Sequence, residues 1–344
     1  MNKVLTSDAN GLATWQIVPA STNNWSTTGN AGTSSSTNFL GTLDTQDLVM
    51  KTNSGEKMRI LSSISSTGAL VFVNGGDMVV NGMTVGHGRG AIQTNTAIGN
   101  GALAFNTTGF SNTAIGNGAL SSNTTGWLNT ANGDSALLSN TTGWSNIANG
   151  YYALSSNTTG FYNTANGNGA LSSNTTGSRN TANGNDALAS NTTGLFNTAN
   201  GYGSLSANTT GNVNTANGAK SLLSNTTGYA NTANGFYALL SNTTGYSNIA
   251  NGSSALTFNT TGNYNTANGD SALYSNTIGS GNVAMGTEAL YTSTGVDFQT
   301  AIGYQALRNS TTGTQNLGLG YSAGSAITTG SNNIALGYNA QVPS

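Results

Sequence analysis

The sequence predicts an all-β chain, a parallel β-solenoid of 17-residue coils behind a small β-rich region, and three observations carry that expectation. The pentapeptide NTAIG at Asn95 returns at Asn112 and, as NTANG, at Asn129; the 17-residue step then runs on through Asn282, Gln299 and Asn316 to a partial copy at Asn333. Fourteen complete copies fill 95–332 without a net insertion, and self-similarity at a fixed short step is the signature of a stacked-repeat fold. Composition agrees: 48 of 344 residues are Gly, and only 18 are charged, 8 basic and 10 acidic. Both prolines, Pro19 and Pro343, stand outside the repeats, as a continuous ladder of backbone donors requires.

The elements follow in chain order. Residues 1–81 form a hairpin and connector region, in which Lys3–Gly11 reads as a strand and turn and Asp47–Ile60 as a hairpin about Asn53-Ser54-Gly55. Residues 82–340 form the repeat domain and 341–344 a short tail. With Asn95 as position one, the consensus is N-T-A-(N/I)-G-x-x-A-L-x-S-N-T-T-G-x-x. Thr-Ala-(Asn/Ile) is strand one, Gly at position five is a corner, x-Ala-Leu-x is strand two, and Ser-Asn-Thr-Thr-Gly is a turn of residues that bond their own backbone. At about 4.8 Å per stacked strand, fourteen coils make a thin rod of roughly 65 Å.

Alternation along strand one assigns its faces. Position three, Ala in thirteen copies, points inward with Ala and Leu of positions eight and nine, while positions two and four share the outer face. Position four is apolar at both ends, Ile98 and Ile115 at one and Met285, Ile302, Leu319 and Leu336 at the other. Nine consecutive copies between them carry Asn: Asn132, Asn149, Asn166, Asn183, Asn200, Asn217, Asn234, Asn251 and Asn268. A face that is apolar at both ends is expected to be covered, so the chain is expected to self-associate through it.

The NTAIG…AL…NTTG unit resembles the head repeats of trimeric autotransporter adhesins, the YadA-like left-handed parallel β-roll, and more closely repeats of bacterial and phage tail-fibre-domain proteins. The resemblance covers about residues 82–340, including the lead-in Met83-Thr84-Val85-Gly86. It implies a homotrimer of left-handed β-rolls about one axis, serving as an extended attachment fibre on a cell surface or virion tail, hence an extracellular place. Many such proteins end in a self-cleaving chaperone domain that drives trimerisation. The abrupt start sets the further expectation that the natural chain extends upstream of Met1. In the trimer, the position-four Asn run becomes a polar ladder that fixes register.

Binding is expected at the positions the repeat leaves free: six, seven, sixteen and seventeen. Phe110, Trp127, Trp144 and Phe161 occupy position sixteen in successive coils, and Tyr151, Tyr152, Tyr229, Phe236, Tyr237 and Tyr246 add further rings. These rows hold a host receptor or glycan on one reading and merely stabilise stacking on the other. The competing functional class is an ice-binding solenoid using exposed Thr-x-Asn rows at positions two and four.

Other chemistry lacks its residues. A net charge of −2 offers no footprint for nucleic acid, no apolar run is long enough for membrane insertion, and residues 1–20 lack a signal-peptide pattern. With no Cys there is no disulfide or thiolate metal site. His87 is the sole histidine, so no catalytic triad assembles within one chain. Asp134 and Asp270, both at position six, are eight coils and about 38 Å apart, too far to act as a pair. No phosphate loop, metal site or cofactor is expected, and no enzymatic activity. Ten NTTG turns are formal N-glycosylation sequons, and Asp134-Ser135-Ala136 and Asp270-Ser271-Ala272 resemble a bacterial O-glycosylation acceptor.

Overall fold

The computed structural model describes residues 83–342 throughout and, ahead of them, six strands: Lys3–Ser7 (β1), Ala13–Ile17 (β2), Leu48–Thr52 (β3), Gly55–Ile60 (β4), Val71–Phe72 (β5) and Met78–Val80 (β6). The chain divides into two units, 1–75 and 76–344. In the first, β1 pairs antiparallel with β2, and β3 with β4, which in turn pairs with β5. The expected hairpin of 47–60 is therefore formed; its turn residues Asn53 and Ser54, like the turn after β1, lie outside the described residues.

The second unit is the solenoid, and its described residues contain no helix. An antiparallel lead-in, β6 against Met83–Gly86 (β7) and β7 against Thr96–Gly99 (β8), closes one end of the ladder. From β8 onward, one three-residue strand per coil stacks in parallel from Thr113–Ile115 (β9) to Ile334–Leu336 (β22), in strict register: Thr164 faces Thr181, Ala165 faces Ala182, and Asn166 faces Asn183. Position three is buried at every one of these strands and positions two and four are not, the alternation that a sheet with one covered face imposes.

Hydrogen bonding continues round the whole coil. In the coil beginning at Asn180, Leu188 N–H donates to Ser204 O at 3.0 Å, Ser190 N–H to Ser206 O at 2.9 Å, and Thr192 N–H to Thr209 O at 2.9 Å. In the opposite sense, Gly201 N–H donates to Asn183 O at 2.8 Å and Val213 N–H to Leu195 O at 2.9 Å. Stacking thus satisfies the backbone groups that an isolated coil would leave open.

The x-Ala-Leu-x segment is not the expected second strand. It is a run of linked turns: Ala170 N–H bonds Gly167 O, Ser172 N–H bonds Gly169 O, and Asn174 N–H bonds Leu171 O, at 3.4, 3.2 and 3.1 Å. The third residue of the first two turns has positive φ, Gly169 at 65° and Leu171 at 53°, the mark of a type II turn. All thirteen position-nine leucines adopt φ between 47° and 53° and all are fully buried. Left-handed backbone costs a Leu about 1–2 kcal/mol, and burying its side chain gains about 1.5–3 kcal/mol. Burial wins, so the chain bends where its apolar pattern reads as extended.

The interior of each coil holds Ala, Ala and Leu, joined by two rows of asparagine, of which the sequence presents the position-twelve row as turn residues. Position twelve forms an unbroken amide ladder from Asn106 to Asn276, all fully buried. Asn208 Nδ2 donates to Asn191 Oδ1 at 2.8 Å and to Gly211 O at 3.0 Å, and Asn208 Oδ1 accepts from Asn225 Nδ2 at 2.8 Å. Position one forms the second row. Asn146 Nδ2 reaches Asn129 Oδ1 at 3.1 Å and Gly160 O at 2.8 Å, while its backbone N–H donates to the same Asn129 Oδ1 at 3.0 Å. Both rows share the position-fifteen carbonyl, Gly211 O accepting from Asn197 as well as Asn208. Buried amides without partners are costly; here each coil supplies the partner of the next. Asn208→Ala strands Asn191 Oδ1 and one N–H of Asn225, so we expect a loss of about 2 kcal/mol, read from the midpoint of chemical unfolding.

The one ion pair among the described residues is Arg308 Nε with Glu288 Oε2 at 2.8 Å. Hydrogen bonds from Arg308 and then Gln305 hold the Glu288 carboxyl below its usual range. A lowered folded pKa means that its stabilisation is present above the ordinary carboxylate range and is lost as pH falls through the folded value. With both side chains partly exposed the effect is at most about 1 kcal/mol.

Candidate functional site

The outer face of the parallel sheet is a regular surface that runs along every coil and is not covered by the described residues. At its ends Ile98, Ile115, Met285, Ile302 and Leu319 are exposed, 37% for Ile98 and 42% for Met285, and Leu336 on the last strand reaches 67%. Position two adds exposed Ile147 and Ile249 within the polar stretch, which the position-four pattern alone does not reveal. Asn132 is exposed and Asn149, Asn166, Asn183, Asn200, Asn217, Asn234, Asn251 and Asn268 are half-buried.

Eight of the nine position-four asparagines, Asn149 to Asn268, form a ladder, which Asn132 does not join. Asn149 Nδ2 donates to Asn166 Oδ1 at 2.8 Å, and the pattern repeats through Asn251 to Asn268 at 2.7 Å. Its donors point towards the C-terminal coils, opposite to those of position twelve. An amide has two N–H donors and two acceptor sites. One of each is used along the row, so the sheet face keeps a line of donors and acceptors for whatever lies against it.

The aromatic row at position sixteen is a continuous stack. Phe110, Trp127, Trp144 and Phe161 have successive ring centroids at 5.7, 4.9 and 5.0 Å, with interplanar angles of 11°, 3° and 2°. Tyr162 meets Trp144 edge-on at 4.5 Å, and the Arg179 guanidinium lies 5.7 Å from Phe161 and 5.1 Å from Phe196. Both faces of each indole are thus covered by neighbouring rings, and a sugar ring, which stacks on an aromatic face, finds only edges there. Tyr229 and Tyr246 repeat the arrangement at 4.8 Å. The position-six and position-seven pairs differ: Tyr151 meets Tyr152 edge-on at 4.4 Å, Phe236 lies on Tyr237 at 3.8 Å, and Tyr151 and Phe236 are half exposed. A further stack, Tyr304, Tyr321 and Tyr338 at 5.2 Å steps, is absent from the sequence-based set although all three share position six. Trp144→Ser removes two stacked pairs of about 0.5–1.5 kcal/mol each. We expect a loss of about 1–3 kcal/mol, read from the midpoint of chemical unfolding.

The remaining polar candidates are tied into the fold. Exposed His87 donates from Nδ1 to Asn95 O at 2.7 Å, joining the lead-in to the first coil. Asp134 accepts from Ser135 Oγ at 2.7 Å and from Asn117 Nδ2 at 3.3 Å, and Asp270 accepts from Ser271 Oγ at 3.3 Å. The ten sequon asparagines, Asn106 to Asn259, are the buried ladder of position twelve and are closed to a glycosyl donor in the folded chain. Among the described residues no group of three or more His, Cys, Asp or Glu is placed to hold a metal ion, and no helix is long and apolar enough to cross a membrane. No family model, curated protein or solved structure matches the chain.

Proposed function

We propose that three copies of this chain pack through the outer faces of their parallel sheets into an elongated fibre that serves attachment. The observation that carries the reading is that sheet face: it is long and in register, apolar at both ends, exposed at Ile147 and Ile249, and lined between by asparagines with unspent hydrogen-bonding capacity. Exposed apolar rows of this kind mark interaction surfaces, and a second and third copy supply both the apolar cover and the matching amides. The resemblance of the repeat to trimeric head and tail-fibre repeats supports the same stoichiometry and an extracellular or virion-tail setting. In such a fibre the variable positions six, seven, sixteen and seventeen carry receptor contact, with the open rings at Tyr151, Tyr152 and Phe236 better suited to it than the covered indoles.

The deciding measurement is mass in solution by light scattering. We expect three times the 34.5 kDa of one chain; a monomer at micromolar concentration overturns the proposal. Replacing Asn183, Asn200 and Asn217 together by Ile is expected to leave the trimer intact, because the buried ladders at positions one and twelve, which hold each coil to the next, remain untouched.

A further inference from the structure

Positions six and seventeen, exposed in most coils, vary from coil to coil. Position fourteen does not. From Thr108 to Thr261 it is Thr in ten consecutive coils, every one exposed, and none of these hydroxyls has a hydrogen-bond partner among the described residues. The neighbouring position-thirteen threonines are different, since from Thr107 to Thr260 each hydroxyl donates to the carbonyl of the Thr one coil on, at 2.9–3.1 Å. Turn chemistry therefore accounts for Thr at position thirteen but not at fourteen, which also lies outside the strands.

The surroundings of this row are uniform. No charged residue occupies positions ten to fifteen in those ten coils. Stacked rings at 4.8–5.0 Å register the rise per coil, so the hydroxyls and methyls recur at that spacing. The backbone beneath is clamped: the N–H groups of Thr175, Thr176 and Gly177 all converge on Thr192 O, at 3.0, 3.2 and 3.2 Å. Branching at Cβ limits the side chain to few rotamers. The result is a rigid double row of neutral hydroxyls and methyls, preorganised over ten coils.

Such a surface is poor at gripping a soluble ligand, because it has no planar amide, carboxylate or guanidinium free to clamp one. It suits a partner that is itself neutral, hydrogen-bonding and periodic, against which many weak equal contacts add up. We propose that the position-thirteen and position-fourteen threonine rows form an ice-binding face. This face is separate from the positions-two-and-four sheet face, and the proposal does not depend on the fibre reading.

The test uses the full chain, with thermal hysteresis and inhibition of ice recrystallisation as readouts. Thr142→Lys, Thr176→Lys and Thr210→Lys, combined, place a charge in alternate coils across the middle of the row. The unsubstituted protein is expected to be active and the triple variant at least tenfold weaker, with unchanged melting temperature and mass. Asn166→Ile, Asn183→Ile and Asn200→Ile, combined on the sheet face, are expected to retain activity. Absence of activity in the unsubstituted protein overturns the proposal, as does an unchanged triple variant or loss confined to the sheet-face variant. A fall in melting temperature in the Lys variant overturns it too, because the row then serves the fold.

Discussion

Gly235→Ala is expected to destabilise the solenoid by about 3–5 kcal/mol, combining backbone strain with overpacking, and to break its unfolding into two transitions. Gly235 stands at position five with φ of 142°, a conformation that side chains rarely adopt. Space is refused as well. A Cβ there would overlap the Gly252 carbonyl oxygen, lie 2.6 Å from the carbonyl carbon and 3.1 Å from Ser253 N. All three are backbone of the next coil, so relief requires the coils to separate at the point where Gly252 N–H donates to Asn234 O at 2.8 Å. In a stacked-repeat protein each coil touches only its neighbours, so a broken interface at the middle divides one cooperative unit into two. Gly101→Ala is the internal control. Gly101 has φ of 69° and nothing within 4 Å of an added Cβ, and other coils place Ser135 and Tyr152 there at 57°. We expect a cost of about 1 kcal/mol and a single transition, as read by calorimetry and urea titration.

That contrast bears on what the sequence could disclose. The 17-residue step, the inward Ala of position three and the corner glycine are legible because each is a periodic requirement on residue type. The sign of φ at Leu171 is not, since the Ala-Leu pair satisfies the same apolar pattern whether extended or turned. A hint was available one residue pair earlier: position seven alternates between Gly, as at Gly169, and non-glycine residues, the habit of a site with positive φ. The buried ladders escaped for a related reason. Asn174 looks like a turn former, and only the coil rise, which brings amides of successive coils within hydrogen-bonding reach, converts it and Asn180 into a core. For the sheet face, the position-four run marks one row of the surface, and its asparagines from Asn149 to Asn268 lie half-buried in the single chain. The position-sixteen row is legible as a row; that Trp127 and Trp144 cover each other's faces follows only from the rise.

The coil 282–298 offers the sharpest test of the buried ladder, because it breaks the rule at two positions together. Position twelve is Ser293 in place of Asn, and position fifteen is Val296 in place of Gly. In the regular coils a Cβ added at Gly211 would overlap both the Gly228 carbonyl oxygen of the next coil and Asn208 Oδ1, and sit 2.9 Å from Asn225 Nδ2. With Ser at position twelve of this coil and of the next, Ser293 and Ser310, the side-chain part of that obstruction is absent beside Val296, which is 5% exposed. The exchange leaves Asn276 Oδ1 and Ser293 Oγ buried without partners. Ser293→Asn alone therefore drives its amide into Val296 and is expected to cost about 1–3 kcal/mol by overpacking. Val296→Gly alone empties a buried site and forfeits about 1.5–3 kcal/mol. The pair together rebuilds the regular arrangement, gives Asn276 Oδ1 its donor and sets an amide beside a glycine at position fifteen, so the double variant is expected to be at least as stable as the starting protein. The coupling is then at least about 2.5 kcal/mol, towards the upper end for residues in contact. Additive losses in a double-mutant cycle would mean that the ladder does not govern which residue position fifteen accepts.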